Sequence, residues 1–238
     1  MLNNKNNRFL LMLVAIVMAC GLLASRIQTS GGRVVITDIK IPTQNGQWVV
    51  GDLFKPRSAT AETPAPLVVV VPGFQRSKEA LANIAIELAR RGIVVISIDP
   101  YAQGRSSSSE SRLAATTEGY GMFAVVDYAA SSENLNYIDK TRIASTGHSA
   151  GGNAAIRGGN YFGKKAQLTG EPSKLHSVFV SGYVLTLRED VLQDVRSNIG
   201  VSSAFHDVGA YRNELKNGDM RIAPEALRVV NLGRSTNL

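Results

Sequence analysis

The sequence feature that most constrains the fold is the pentapeptide 147–151, in which two glycines flank Ser149 at a spacing of two residues. A short strand-like run at residues 142–146 precedes it, and a stretch of small residues suited to a helix follows. This pattern is typical of a nucleophile elbow, a strained strand-to-helix turn that lifts a serine hydroxyl out of the sheet. Glycines are expected on both sides, because larger side chains would collide with the neighbouring strand and helix. The amide of Ala150 would then face a developing oxyanion.

Four short apolar runs predict strands upstream of this turn. Two of them flank the turn residues 44–46 and fit a hairpin. The other two are continuously aliphatic, as buried parallel strands are, and they flank a predicted helix that opens at Ser77. The runs occupy residues 34–41, 48–54, 67–71 and 93–98. In a chain of 238 residues with 44% hydrophobic content, they predict one α/β domain whose mostly parallel central sheet carries helices on both faces.

The first 30 residues predict a separate membrane-targeting segment. Lys5 and Arg8 lead into an apolar run from Phe9 to Ala24, which is intermediate in length between a signal peptide core and the roughly 20 residues of a spanning helix. Because no good Ala-x-Ala cleavage site follows, we favour an anchor that leaves the domain at residues 31–238 on the extracytoplasmic side. A cleaved signal that releases a secreted protein is the alternative, and a lipidation signal ending at Cys20 is a lesser one.

Composition excludes several classes of function. The net charge of +7 comes from scattered basic residues without a dense basic cluster, so no nucleic acid partner is expected. No cluster of His, Asp or Glu has metal-ligand spacing and no phosphate-binding glycine loop is present, so neither a metal nor a cofactor is implied. The single cysteine, Cys20, permits no intramolecular disulfide.

Three ordered motifs resemble those of the α/β-hydrolase fold, and in particular of bacterial dienelactone-hydrolase-like and polyester-hydrolase-like serine esterases. The motifs are residues 71–74, 99–106 and 147–152, within a region of similarity from about 33 to 207. The resemblance implies a hydrolase that cleaves a small-molecule carboxylic ester through an acyl-enzyme on Ser149. It also implies an oxyanion hole formed by the amides of Ala150 and Phe74, with Gln75 as the alternative to Phe74.

A strand is predicted at residues 175–182, after the elbow helix, and the same resemblance places the catalytic acid at the carboxyl end of the strand that follows it. We predict that strand at residues 200–207, which makes Asp207 the candidate acid. Glu189 and Asp190, which follow the preceding strand, are the alternatives. A helix is predicted further on, from Pro224 to Val230.

The catalytic base is the difficult assignment. A triad in the order serine, acid, histidine needs a histidine after the acid, and His148, His176 and His206 all precede Asp207. We expect His148 to have a packing role, because its side chain should point away from that of Ser149 at an elbow. We expect His176 to be structural, because it lies at the start of a predicted strand.

Three explanations for the missing base remain, in order of preference. The chain is a truncated hydrolase lacking the last strand, its histidine loop and the closing helix; His206 serves in an unusual arrangement; or the domain has lost catalysis. Truncation would leave apolar surface uncovered. Two other functions stay open: a non-catalytic, membrane-tethered scaffold of the same fold, and a serine peptidase, which differs chiefly in its leaving group.

Overall fold

A computed structural model describes residues 4–111, 113–204 and 212–235. A single sheet organises this part of the chain, with seven strands in the order β1-β2-β4-β3-β5-β6-β7. The strands are β1 (Val34–Pro42), β2 (Trp48–Pro56), β3 (Ala65–Val71), β4 (Val94–Ile98), β5 (Ile138–His148), β6 (Ser177–Ser181) and β7 (Asn198–Ser202).

The carboxyl ends of the parallel strands all lie at the same edge of the sheet. β1 and β2 form the predicted antiparallel hairpin, and β2 also pairs antiparallel with β4. The pairs β4–β3, β3–β5, β5–β6 and β6–β7 are parallel. The loops that follow β3, β4, β5 and β6 therefore meet at the same edge, which is where open α/β sheets build their sites.

Helices cover both faces of the sheet, as predicted. α2 (Ala82–Arg90) packs on one face with Val34, Phe54 and Val95. α4 (Met122–Ser131) and α5 (Ala150–Thr169) contact each other on the opposite face, where Phe123 stacks on Tyr161. α5 lies close to β5 and β6 because its buried face is rich in glycine and alanine. The helices are α1 (Asn4–Gln28), α2 (Ala82–Arg90), α3 (Ala114–Thr117), α4 (Met122–Ser131), α5 (Ala150–Thr169), α6 (Glu189–Leu192) and α7 (Pro224–Ser235).

Helix α1 confirms the predicted N-terminal apolar helix and extends it at both ends. It has 25 residues, none of them buried, and its most apolar 18-residue window has a mean hydropathy of 2.4. By length and composition this helix can cross a membrane, a property that it shares with signal sequences. The polar leader from Asn4 to Arg8 is helical as well, so the helix begins before the apolar run.

Two boundaries differ from the sequence prediction. The helix expected from Ser77 opens as a 3₁₀ turn, Lys78–Leu81, in which the Lys78 amide donates to the Asp99 carboxylate at 2.9 Å. β7 runs from Asn198 to Ser202 and pairs parallel with β6. It therefore begins and ends earlier in the chain than the strand predicted at residues 200–207. His206 and Asp207 lie outside the described residues.

Candidate active site

Ser149 occupies a strained turn between β5 and α5. Its backbone has φ 54° and ψ −116°, a conformation that costs a non-glycine residue of the order of 1–3 kcal/mol. Hydrogen bonds hold this geometry: the Ser149 amide donates to the Ser181 carbonyl at 2.9 Å, and the Asn153 amide donates to the Ser149 carbonyl at 3.0 Å. The serine therefore lies at the carboxyl edge of the sheet, at the first turn of a 20-residue helix.

The two flanking glycines are required by contacts with backbone atoms. A Cβ atom on Gly147 would lie 2.5 Å from the Val71 carbonyl oxygen and 2.4 Å from the Gly151 carbonyl carbon. A Cβ atom on Gly151 would lie only 1.9 Å from the Val71 oxygen and 2.7 Å from that of Pro72. The collision partners are thus the neighbouring strand β3 and the elbow itself, which is the steric reason for this motif.

The loop after β3 approaches the serine directly. A Cβ atom on Gly73 would lie 3.6 Å from the Cβ atom of Ser149, so the Phe74 amide belongs to a loop in contact with the elbow. The loop turns tightly, since the Arg76 amide donates to the Gly73 carbonyl at 3.2 Å and Gln75 has φ 57°. The Phe74 side chain is 64% exposed and contributes no core packing.

A buried carboxylate fixes this loop from the other side. Asp99, which is 2% exposed, accepts hydrogen bonds from the Lys78 amide at 2.9 Å and the Arg105 amide at 3.0 Å. Gly104 approaches so closely that a Cβ atom there would lie 2.2 Å from the Asp99 carboxyl carbon. Gln103 of the same loop accepts from the Arg76 amide at 2.9 Å, which joins the two loops beside Ser149.

A second buried charge lies where α2 begins. The ammonium group of Lys78, a residue that is 7% exposed, contacts carboxylate oxygens of Asp52 and Glu79, each at 2.9 Å. Burial raises the pKa of Asp52. Hydrogen bonds from the Ser77 hydroxyl and from Lys78 lower the pKa of Glu79 to about 2. Neither Asp99 nor Lys78 is predicted from the sequence to have a role; the only signal is the Asp-to-Gly spacing in the motif 99–106.

The histidines that the structure describes do not contact the serine hydroxyl. His148 is exposed and not buried in the core; it lines a cavity on the α2 face of the sheet, and its Nδ1 atom lies 3.7 Å from a Cβ atom placed on Gly73, beside the loop after β3. His176 precedes β6 at the opposite edge from Ser149, where its Nδ1 atom lies 3.1 Å from the Ser177 hydroxyl. Among the described residues, the Ser149 hydroxyl has no hydrogen-bond partner.

The alternative acids, Glu189 and Asp190, open the short helix α6. Asp190 pairs through both oxygens with Arg188, at 3.0 and 3.1 Å, and neither carboxylate is joined to Ser149 by a described contact. With Asp207 outside the described residues, the acid remains a prediction.

Apolar side chains line a cavity beside the elbow. A cavity of about 560 Å³ lies between α2 and the strands β3, β5, β6 and β7. It is lined by Leu81, the last residue of the 3₁₀ turn, by Ile84 of α2 and by Phe179 of β6, which is 46% exposed. His148 lies at its end, so this groove reaches the residue before the serine.

The fold and the site together define an α/β hydrolase with a nucleophile elbow. The PET hydrolase-like (PETase) family matches residues 22–207, and the chain therefore belongs to that family. An esterase from Pyrococcus furiosus has a similar structure, with a TM-score of 0.51 and 17% identity over 68% of this chain and 53% of the esterase. A hypothetical protein from Pseudomonas aeruginosa also scores 0.51, with 21% identity over 65% of this chain and 44% of that protein. The chain thus spans about half the length of these solved structures.

Proposed function

We propose that this protein hydrolyses carboxylic esters through an acyl-enzyme on Ser149. The observation that carries the proposal is the elbow: a serine with φ 54° at the end of β5, between two glycines at which a Cβ atom would collide with backbone atoms. A strained, hydrogen-bonded serine at this edge of the sheet is arranged for nucleophilic attack and contributes little to packing. Membership of the PET hydrolase-like family supports ester cleavage as the reaction.

The reaction would proceed by acyl transfer. The Ser149 hydroxyl attacks the ester carbonyl, its proton passes to a base, and the alcohol leaves. The amides of Ala150 and Phe74 are the proposed oxyanion donors, because one opens α5 and the other follows Gly73, whose backbone approaches the serine. Water then releases the acid and restores the serine.

Within this chain, His206 is the histidine to test as the base. Neither His148 nor His176 makes a described hydrogen bond to the serine hydroxyl, and His176 lies at the opposite edge of the sheet. Asp207 stays the predicted acid, with Asp190 and Glu189 as alternatives. If the base comes from His206, its removal should lower the rate by several orders of magnitude, as removal of a triad member does.

The test is hydrolysis of p-nitrophenyl butyrate by the full chain in detergent. We expect Ser149→Ala to lower kcat/KM at least about 1000-fold, because the nucleophile is lost. Ser181→Ala is the matched control: its carbonyl accepts from the Ser149 amide, and that backbone bond survives the substitution. Equal rates for Ser149→Ala and the unchanged protein would reject the acyl-enzyme.

The localisation proposal is that α1 anchors the domain to a membrane and leaves it on the extracytoplasmic side. It rests on the exposed, apolar 25-residue helix and on Lys5 and Arg8 ahead of its apolar run. Carbonate extraction of membranes from expressing cells checks it, since an anchored chain stays with the pellet, whereas a chain cleaved after the apolar run is released.

A further inference from the structure

Four arginines hydrogen-bond to the turn that joins α1 to β1, and a fifth, Arg91, follows one of them in the chain. They come from segments far apart in the chain and are all exposed: Arg26, Arg33, Arg57, Arg90 and Arg91. Three of them, Arg33, Arg57 and Arg90, line a cavity of about 270 Å³ together with Ser58. We call these five residues the arginine collar. Glu87 pairs with Arg90 at 2.7 Å, so one of the five charges is offset by that contact.

Hydrogen bonds attach the collar to the connecting turn. The Nε atoms of Arg33 and Arg57 donate to the carbonyls of Ser30 and Gly32, at 3.0 and 2.8 Å, and the Arg90 Nε atom donates to the Ser30 hydroxyl at 2.9 Å. Within the described part of the chain, these bonds leave the terminal NH₂ groups of Arg33 and Arg57 without a partner. A guanidinium held by Nε and open at its two NH₂ groups is well suited to a phosphate.

The collar lies where α1 would leave a membrane. α1 ends at Gln28, and the turn that carries Ser30 and Gly32 follows immediately. The turn is fixed to the domain, since the Arg57 amide also donates to the Arg33 carbonyl at 2.8 Å. If α1 spans the bilayer, the collar is therefore at the depth of the lipid headgroups.

The collar and the candidate active site lie at opposite edges of the sheet. Val34, the first residue of β1, pairs with Pro56 at the end of β2, and Phe54 pairs with Val95 near the start of β4. The collar thus belongs to the edge where the parallel strands begin. Ser149 follows the last residue of β5, at the edge where they end.

We propose that the arginine collar binds the phosphate groups of anionic phospholipids at the surface of the membrane that α1 enters. Docking of the collar holds the edge of the sheet that carries Ser149 away from the bilayer. A substrate therefore reaches Ser149 from the aqueous side. This inference rests on the proposed anchor, but it does not depend on catalysis by Ser149. Zwitterionic lipids lack the net charge that attracts the collar, so docking requires anionic lipid.

The experiment measures contact between the collar and lipid headgroups. The full chain carries Cys20→Ser and Ser58→Cys, labelled at position 58 with a fluorophore, and is reconstituted into vesicles with a nitroxide on some headgroups. We expect strong quenching in phosphatidylcholine containing about 30% phosphatidylglycerol, a fraction typical of a strongly anionic surface, and weak quenching in phosphatidylcholine alone. Raising the salt to about 1 M should also weaken it.

A paired variant tests the residues themselves. Arg57→Gln with Arg90→Gln should lower the ratio of docked to undocked domain between about 5-fold and about 30-fold, at about 1 kcal/mol for each arginine near an anionic surface and less for Arg90, whose charge Glu87 offsets. Arg76→Gln with Arg188→Gln removes the same charge from exposed residues in loops at the other edge and should leave quenching unchanged. Arg57→Lys with Arg90→Lys keeps the charge and should retain most of the docking.

Three results would overturn the proposal. One is equal quenching in neutral and anionic vesicles, and another is unchanged quenching in the Arg57→Gln and Arg90→Gln variant. The third is equal quenching of a label at Glu189→Cys, which lies after β6 at the Ser149 edge. Unfolding of each variant in urea separates a loss of docking from a loss of fold, and ester hydrolysis measured in parallel keeps this test independent of the proposed reaction.

Discussion

Replacing Gly151 by alanine tests the steric basis of the elbow. The new Cβ atom would lie 1.9 Å from the Val71 carbonyl oxygen and 2.7 Å from that of Pro72. Both are backbone atoms of β3 and the residue after it, so they cannot rotate away as a side chain does. Overpacking of this kind costs about 1–3 kcal/mol, and we expect the upper end, partly offset by the roughly 1 kcal/mol that alanine gains over glycine in a helix.

Gly152→Ala is the matched control, because it gains the same helix propensity one residue later. Its Cβ atom would approach the Gly147 and Ser181 carbonyl oxygens to 3.2 Å, which a small shift relieves. The difference between the two variants should be about 2 kcal/mol, or a urea midpoint about 1 M lower for Gly151→Ala. The fluorescence of Trp48, the single tryptophan, reports unfolding in detergent. Equal midpoints for the two variants would refute the steric explanation.

Two further substitutions test the loops around the serine. Asp99→Asn replaces one carboxylate oxygen with an NH₂ group, which cannot accept a hydrogen bond from the Lys78 or Arg105 amide. We expect the free energy of unfolding in urea to fall by about 2–3 kcal/mol. A fall of less than about 0.5 kcal/mol would contradict this role. Glu79→Gln tests how the ionisation of Glu79 is linked to folding stability. Because the folded pKa of Glu79, about 2, lies below its ordinary 4.5, its contribution is present above pH 4.5 and is lost as the pH falls toward 2. Between pH 4.5 and pH 2, the stability of the variant should therefore fall less steeply than that of the unchanged protein. The difference should be small, because the Glu79 side chain is 64% exposed. An identical dependence of stability on pH in the two proteins would argue against the interaction.

The sequence predicted the parts of the site that depend on local sterics. A tight turn from a strand into a helix leaves no space for side chains two residues before and two residues after its serine. The pentapeptide 147–151 was therefore enough to locate the elbow. The aliphatic runs of β3 and β4 could be placed equally well, because strands buried on both faces carry little else.

Features assembled from distant segments could not be predicted in the same way. Asp99 is important because Lys78 and Arg105 bring their amides to it, and neither contact has a local sequence signal. The same holds for the arginine collar, whose members looked like scattered surface charge. β7 is weakly specified, since Gly200 and polar residues leave no clear alternation, and its boundary was therefore misplaced.

The central claim is that Ser149 is an activated nucleophile. The most direct test is the intact mass of the full chain after exposure to a serine-directed fluorophosphonate, beside Ser149→Ala and His206→Ala. We expect one adduct on the unchanged protein and none on Ser149→Ala. Loss of the adduct in His206→Ala as well would identify the base. A folded protein that acquires no adduct, or one that Ser149→Ala still acquires, would contradict the claim.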